Sequence, residues 1–170
     1  MKKQIGVFDA VDRTLERLNE NSGGDGLLLV AGENGNPMAI GWATIGIIWG
    51  LPILTVLVRP SRYTFALIEK SGEFSVNVLA PDYGEQILHC GTHSGRDGDK
   101  VSACGFSLEQ GKEIAIPHLR EAEIVYECRT VHKNNVINAS LDPSIVKHYY
   151  PQGDYHSVYY GEILGVSREE

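Results

Sequence analysis

The stretch MAIGWATIGIIWGLPILTVLV, residues 38–58, decides how this chain folds. Its 21 residues carry no charge, and as a single helix they are long enough to cross a bilayer, with Arg59 as a cytoplasmic flank. Gly41, Gly46, Gly50 and Pro52 interrupt that helix and favour another reading. Trp49-Gly50-Leu51-Pro52 reads as a turn between two apolar strands, one ending near Thr44 and one running from Ile53 to Val58. On that reading the chain is a β protein with no membrane partner.

The flanks agree. Upstream, GLLLVA at 26–31 and the turn Glu33-Asn34-Gly35-Asn36-Pro37 lead into the run as a hairpin. Downstream, Ser61 to Ser71 reads as a helix with Ser61 as N-cap, Phe65, Leu67 and Ile68 as its buried side and Gly72 as its stop. Glu73 to Leu79 then alternates Phe74, Val76 and Val78 against Ser75 and Asn77, as a strand does. Further strands read at Glu121 to Thr130 and His156 to Val166, with short helices at Tyr83 to Cys90 and Pro143 to His148. Near the start, Phe8, Val11, Leu15 and Leu18 predict an amphipathic helix over about residues 6–19, stopped by Asn21-Ser22-Gly23-Gly24. The sum is mainly β: one domain over 1–170, six strands closing into a small barrel with a few flanking short helices.

Composition bounds the function. With 42% hydrophobic and 22% charged residues, 170 residues fit one globular core, and 19 Gly favour turns and strands over a helical bundle. Fifteen Lys and Arg against 22 Asp and Glu leave a net charge of −7, which disfavours nucleic acid or an anionic membrane as partner. Three Cys in a chain read without a signal peptide argue against a disulfide framework and for a cytoplasmic location.

Any phosphate must therefore be held locally, and one corner is suited to it. Arg59 and Arg62 are the only charges in the 35 residues between Glu33 and Glu69. In Arg59-Pro60-Ser61-Arg62-Tyr63-Thr64 two guanidiniums, the Ser61 and Thr64 hydroxyls and a helix N-terminus supply what a dianionic phosphate needs. The bland alternative is a pair of Arg solvating an exposed corner. A second cluster, CGTHSGRDGDK at 90–100, is glycine-rich and carries Arg96 and Lys100, but it lacks the Gly-Lys-Ser/Thr ending of a P-loop. His89, Cys90 and His93 have metal-like spacing without a fourth ligand, so no metal is expected, and Cys90 reads as a nucleophile or as a packed thiol. The rings of Tyr149, Tyr150, Tyr155 and His156 surround a Pro/Gly turn, either as packing or as walls for a planar ligand. Neither Gly-x-Gly-x-x-Gly nor Gly-x-Ser-x-Gly occurs, so a Rossmann domain and an α/β-hydrolase have no support.

Three separated motifs, IGWATIGIIWGLPILTVLVRPSRYTFALIEKSGEFSVNVL at 40–79, CGTHSGRDGDK at 90–100 and YYPQGDYHSVYYGEI at 149–163, together resemble the flavin reductase-like family of FMN-binding split barrels, closest to its flavoredoxin-type members. The resemblance spans Ile5 to Val166. It implies a six-stranded Greek-key split barrel, a homodimer, and one FMN per subunit in a groove near the dimer interface. Carried over by position, it implies that Ala43, Thr44, Ile45 and Gly46 line the flavin ring and that Arg59, Ser61, Arg62, Tyr63 and Thr64 grip the phosphate and ribityl chain. Asn77, Val78 and Leu79 would run along the ring edge, with Cys90 and Gly91 close by, while Ser94, Gly95, Arg96 and Lys100 would close over the polar end. His156 matches the residue linked in the superfamily to the nicotinamide side, although Tyr155 and the intervening Ser-Val-Tyr-Tyr follow the flavoredoxin branch. The implied activity is an oxidoreductase that takes electrons from NAD(P)H and passes them to a flavin, a metal ion or a protein acceptor. A non-enzymatic FMN electron carrier reduced by a partner is the alternative.

Overall fold

In the computed structural model, which describes residues 2–19 and 25–169, the uncharged run is strand and turn throughout. The first half of the chain forms β1 (Lys2–Gln4), α1 (Val11–Leu18), β2 (Leu27–Ala31), β3 (Asn36–Ile40), β4 (Ala43–Ile48), β5 (Leu51–Val58), α2 (Tyr63–Ser71) and β6 (Glu73–Val78). The second half adds α3 (Gly84–Thr92), α4 (Lys100–Ala103), β7 (Leu108–Glu109), β8 (His118–Leu119), β9 (Ile124–Asn135), α5 (Pro143–Tyr149) and β10 (Ser157–Glu169).

The β4–β5 turn needs two residues only. Trp49 and Gly50 both have positive φ, 54° and 72°, the condition for a two-residue hairpin whose twist matches its strands. Glycine adopts this freely; tryptophan does not, and its ring is held against His132 and Tyr160 at centroid distances of 5.6 and 6.0 Å. Pro52 fits inside β5 because it pairs with Ile47 while the β10 ladder ends one residue later, at Ile53 opposite Glu162. Its missing N–H falls beyond that ladder.

The main sheet is antiparallel with strand order β3-β2-β6-β9-β10-β5-β4, and β1 pairs with the far end of β10. β3 and β4 lie at opposite ends of this order, yet only Gly41 and Trp42 separate them in the chain. A two-residue link forces the sheet to curl until its two edges meet. The edges do not pair, and the result is a barrel with a split. Leu29, Met38, Ile40, Leu54, Val56, Phe74, Val76, Tyr126 and Tyr159 fill the interior. On the other face of the sheet, Leu28, Val30 and Val125 pack under Ile87 and Cys90 of α3 and under Ile116 and Leu119. β2 is thus buried on both sides, which is why it reads as an unbroken apolar run.

All six expected strands are present, and the sheet has eight because residues 38–44, read as one strand, belong to β3 and β4, and because β1 pairs with the end of β10. The N-terminal helix is shorter than expected and turns another face inward. Phe8 and Leu15 are 48% and 45% exposed, while Thr14 and Arg17 are buried. Polar anchors decide this: the Thr14 hydroxyl bonds the Tyr126 hydroxyl at 2.7 Å, and Arg17 reaches Asp25 at 3.0 Å. The predicted stop at Asn21 to Gly24 lies outside the described residues. Ser61 does not cap α2; the cap position is Arg62, and the Ser61 hydroxyl donates instead to Asp154 Oδ2 at 2.6 Å. Gly72 ends α2 as expected, in the left-handed conformation, its N–H donating to Ile68 O.

Candidate functional site

Two adjoining cavities occupy the split. The first, about 260 Å³, is walled by Met38 to Trp42 at the β3–β4 link, by Leu57 and Arg59 at the end of β5, and by Arg62, Tyr149 and His156. The second, about 190 Å³, lies between the start of α2 and the segment joining α3 to α4, walled by Ser61 to Thr64, Cys90, His93 to Arg96 and Lys100. Met38 and Arg62 line both, so the two form one groove.

The second cavity is a cation corner. Arg62 donates to Gly91 O at 3.2 Å, Arg96 to Ser61 O at 3.1 Å, and Lys100 to Cys90 O at 3.2 Å. Lys100 is 5% exposed, although the sequence places it in a polar loop; α3 runs on to Thr92, and Lys100 opens α4 behind its N-cap Asp99. Burial first, and Arg62 beside it, lower the Lys100 pKa. Among the described residues no carboxylate lines this cavity. Each of the three cations is satisfied by a neutral carbonyl and keeps donors for an anion, and the first amides of α2 add a favourable dipole. Thr64 is buried, its hydroxyl accepting from Asn36 Nδ2 at 3.0 Å, so it braces the corner from within. Gly95 permits the close approach: a Cβ there would collide with Asn36 and with the Tyr63 ring.

Arg59 has different partners from its neighbour. Its guanidinium donates to Asp154 O at 2.9 Å and Tyr149 O at 2.8 Å, approaches Gly153 O at 3.4 Å, and lies 4.9 Å from the centroid of the Tyr150 ring. It ties the segment 149–154 to the end of β5, and that segment delivers His156 to the first cavity. Tyr150 and His156 share a 2.7 Å hydrogen bond through Nδ1, and Trp42 packs 5.2 Å from the imidazole. Burial, reinforced by Arg59 and Arg62, pushes the His156 pKa down to about 4, so the ring is neutral at neutral pH. The aromatic cluster seen in the sequence is therefore both packing and wall.

Ala43 to Gly46 lie on β4, the free edge beside the first cavity; Ala43 and Ile45 turn toward the barrel and Thr44 outward. Asn77, Val78 and Leu79 do not reach the groove. Val78 and Leu79 belong to the two cores, and the Asn77 amide is consumed by Leu28 O, Ser75 Oγ and the Leu119 N–H. Cys90 is 1% exposed, its pKa pushed up to about 12 by burial. Met38, Leu57 and Asn36 join the site with no signal in the sequence, since each reads as an ordinary strand or turn residue. A third cavity of about 610 Å³ lies behind the cation corner, against the β2–β3 turn, and shares Tyr63, Gly95 and Lys100 with it. Among the described residues no cluster fit for a metal ion occurs, and no helix is long and apolar enough to cross a membrane.

Comparison with known proteins bears on this groove. The structure is similar to the flavoredoxin of Desulfovibrio vulgaris (Miyazaki F), at a TM-score of 0.68 and 22% identity over 85% of this chain and 69% of that one. It is similar also to the flavoredoxin of Methanosarcina acetivorans, at 0.67 and 28% identity over 85% and 68%. An FMN-binding protein of Thermus thermophilus, crystallised with 1-cyclohex-2-enone, aligns at 0.65 and 23% over 82% and 67%. These likenesses agree with the split barrel derived above. The family profile described as "Flavin reductase like domain" matches residues 25–170, and the chain belongs to that family.

Proposed function

We propose that this protein is an FMN-binding oxidoreductase of the flavin reductase and flavoredoxin type, passing electrons from NAD(P)H to a flavin, a metal ion or a protein acceptor. The observation that carries the reading is the cation corner: Arg62, Arg96 and the buried Lys100 converge in a cavity with no carboxylate, inside a chain of net charge −7. Such a site is suited to a phosphate dianion. The adjoining cavity, walled by Trp42, Leu57, Tyr149 and His156, suits a planar ring system, and FMN joins those two chemistries in one molecule. The resemblance to FMN-binding and flavoredoxin structures supports the same cofactor.

Bound FMN would supply hydride acceptance and return. The chain's own part is to hold and to orient. Arg62, Arg96 and Lys100 would fix the phosphate, with the amides of α2 as neutral donors, the Ser61 hydroxyl being given to Asp154. Arg59 acts at one remove, by fastening the segment that carries Tyr150 and His156. His156, neutral and bonded through Nδ1 to Tyr150, offers Nε2 to the cavity as an uncharged donor or acceptor. No protein acid or base is needed for hydride transfer, so the absence of a carboxylate–histidine pair in the groove is consistent with the chemistry. A homodimer is part of the proposal, with the exposed β4 edge and the hairpin tip at Ile47 and Trp49 as surface for a second copy.

A stopped-flow experiment tests the reading. Protein purified with or loaded with FMN should show the visible absorption of bound oxidised flavin and lose it on mixing with NADH or NADPH alone. Bleaching only after addition of a separate reductase assigns the chain to the electron carriers, and failure to take up FMN rejects the proposal.

A further inference from the structure

Two thiols lie at the cation corner, and the proposed function gives their sulfur atoms no role. Cys90, in the last turn of α3, and Cys104, the residue that closes α4, bring their sulfur atoms to 3.8 Å although they lie 14 positions apart in the chain. Both are free; Cys128, the third cysteine, is buried in the barrel core. The segment between the pair carries Ser94, Gly95, Arg96 and Lys100, and Lys100 donates to the carbonyl of Cys90 itself. Residues 93–99 are tied at both ends and at Arg96: His93 N–H donates to His89 O and its ring stacks on His89, Arg96 donates to Ser61 O and lies over the Tyr63 ring, and Asp99 accepts from Val101 and Ser102, while Asp97 N–H to Ser94 O and Arg96 N–H to the Ser94 hydroxyl close the segment on itself. Movement of α4 away from α3 would carry Lys100 off the anion and pull on the segment that bears Arg96.

The geometry points to a redox modification site: Cys90 and Cys104 form an intramolecular disulfide that locks the cation corner over its anion. The oxidant is a hydroperoxide. Cys104 is partly exposed, between exposed Ala103 and Gly105, and is the sulfur that meets it. In the first step the Cys104 thiol takes one oxygen, becoming a sulfenic acid, and the hydroperoxide leaves as the alcohol, or as water where it is hydrogen peroxide. In the second, the Cys90 sulfur attacks Cys104 Sγ, the S–O bond breaks, and the hydroxyl leaves with the Cys90 proton as water. Two thiols lose two protons and two electrons, and one equivalent of peroxide takes them up. A dithiol reductant reverses the sum. The sulfurs close from 3.8 Å to bonding distance, and the openings that part α3 from α4 are removed from the ensemble.

That the lock also slows the release of FMN rests on the function proposed above; the crosslink itself does not. Wild-type protein and Cys104→Ser are each treated with one equivalent of hydrogen peroxide and compared by intact mass, by mapping of the linked peptides, by the rate of tryptic cleavage after the exposed Arg96, and by the rate of FMN release. The expected result is a loss of two hydrogens in the wild type only, a Cys90–Cys104 linked peptide, cleavage at Arg96 slowed about tenfold, and FMN release slowed by a similar factor, all reversed by dithiothreitol. By linkage, the potential of the pair falls by about 30 mV for each tenfold by which the crosslink lowers the FMN dissociation constant, when FMN is saturating. Accumulation of sulfinic acid in place of the linked peptide overturns the inference, as does a linked protein that trypsin cuts as fast as the reduced one. Reduced wild type that takes up no FMN refutes the functional reading, while mass and proteolysis still decide the lock.

Discussion

Removing Arg62 and Arg96 together separates ligand binding from folding. Each guanidinium has spent one donor on a carbonyl and keeps others for the groove. A hydrogen bond to a charged partner contributes about 1.5–3 kcal/mol, and because both side chains are exposed the lower end applies. The pair then amounts to about 3 kcal/mol, about a hundredfold in the dissociation constant for FMN. Stability should move the other way. Part of the lowering of the Lys100 pKa comes from Arg62, so Arg62→Ala relieves repulsion, and the ligand-free double variant should melt at the wild-type temperature or slightly above it. Arg59→Ala is the contrast. Its donors already belong to the 149–154 segment, so its loss should loosen that segment and lower the melting temperature while weakening FMN less than the double variant does. Titration of FMN by fluorescence quenching, with melting curves of the ligand-free proteins, reads both quantities. A double variant that binds FMN within threefold of wild type would refute the assignment of the phosphate to this corner.

Other perturbations reach separate parts of the molecule. Gly95→Ala places a methyl group against Asn36 and Tyr63, so FMN affinity should fall about tenfold with little change in melting temperature, as measured by the same titration. Glu127 is buried, and its Oε2 accepts the N–H groups of Lys112, Glu113 and Ile114 at 2.9, 2.8 and 3.2 Å; Glu127→Ala strands three amides, at a cost of about 3 kcal/mol and roughly 6–12 °C in melting temperature, with FMN affinity unchanged. His156 is depressed from the usual 6.5 to about 4, so between those values the unfolded chain binds a proton that the folded chain refuses; stability should fall as pH drops through that window, and His156→Asn should flatten that part of the denaturation profile.

Local signals carried most of the strands, and contacts between distant segments undid the rest. Trp49-Gly50 is legible as a turn because a two-residue hairpin constrains its own two residues. The break at Gly41-Trp42 is not, since it follows from β3 and β4 lying at opposite ends of the sheet, which no window of sequence contains. Ser61 is a good N-cap by type, but Asp154 lies 93 residues away and claims its hydroxyl. Phe8 and Leu15 outline an apolar stripe, yet Tyr126, 112 residues beyond Thr14, helps to set which face of α1 turns inward. The site shows the same division. Arg62 is legible as a cation at a helix start and Arg96 and Lys100 as cations in a glycine-rich segment, and their convergence agrees with the resemblance that grouped them. The burial of Lys100, the consumption of the Arg59 donors and the removal of Asn77 to Leu79 from the groove each depend on packing partners distant in the chain.

The cost of the empty corner yields a last test. A lysine 5% exposed beside an arginine, in a corner whose described lining holds no carboxylate, is held in the folded state against its own desolvation. A dianion relieves that penalty, so ligand binding and folding should be coupled through the phosphate. At a hundred times its dissociation constant, FMN should stabilise the fold by about 2.7 kcal/mol, roughly 5–10 °C in melting temperature for a chain of this size. Riboflavin has the same ring and no phosphate. At equal concentration it should raise the melting temperature far less, and the difference should shrink in the double variant lacking Arg62 and Arg96, where only Lys100 and the α2 amides still distinguish the two ligands. Equal stabilisation of the wild type by both would mean that the ring, held by Trp42, Leu57 and the 149–156 segment, carries the affinity, and that the cations serve some other anion.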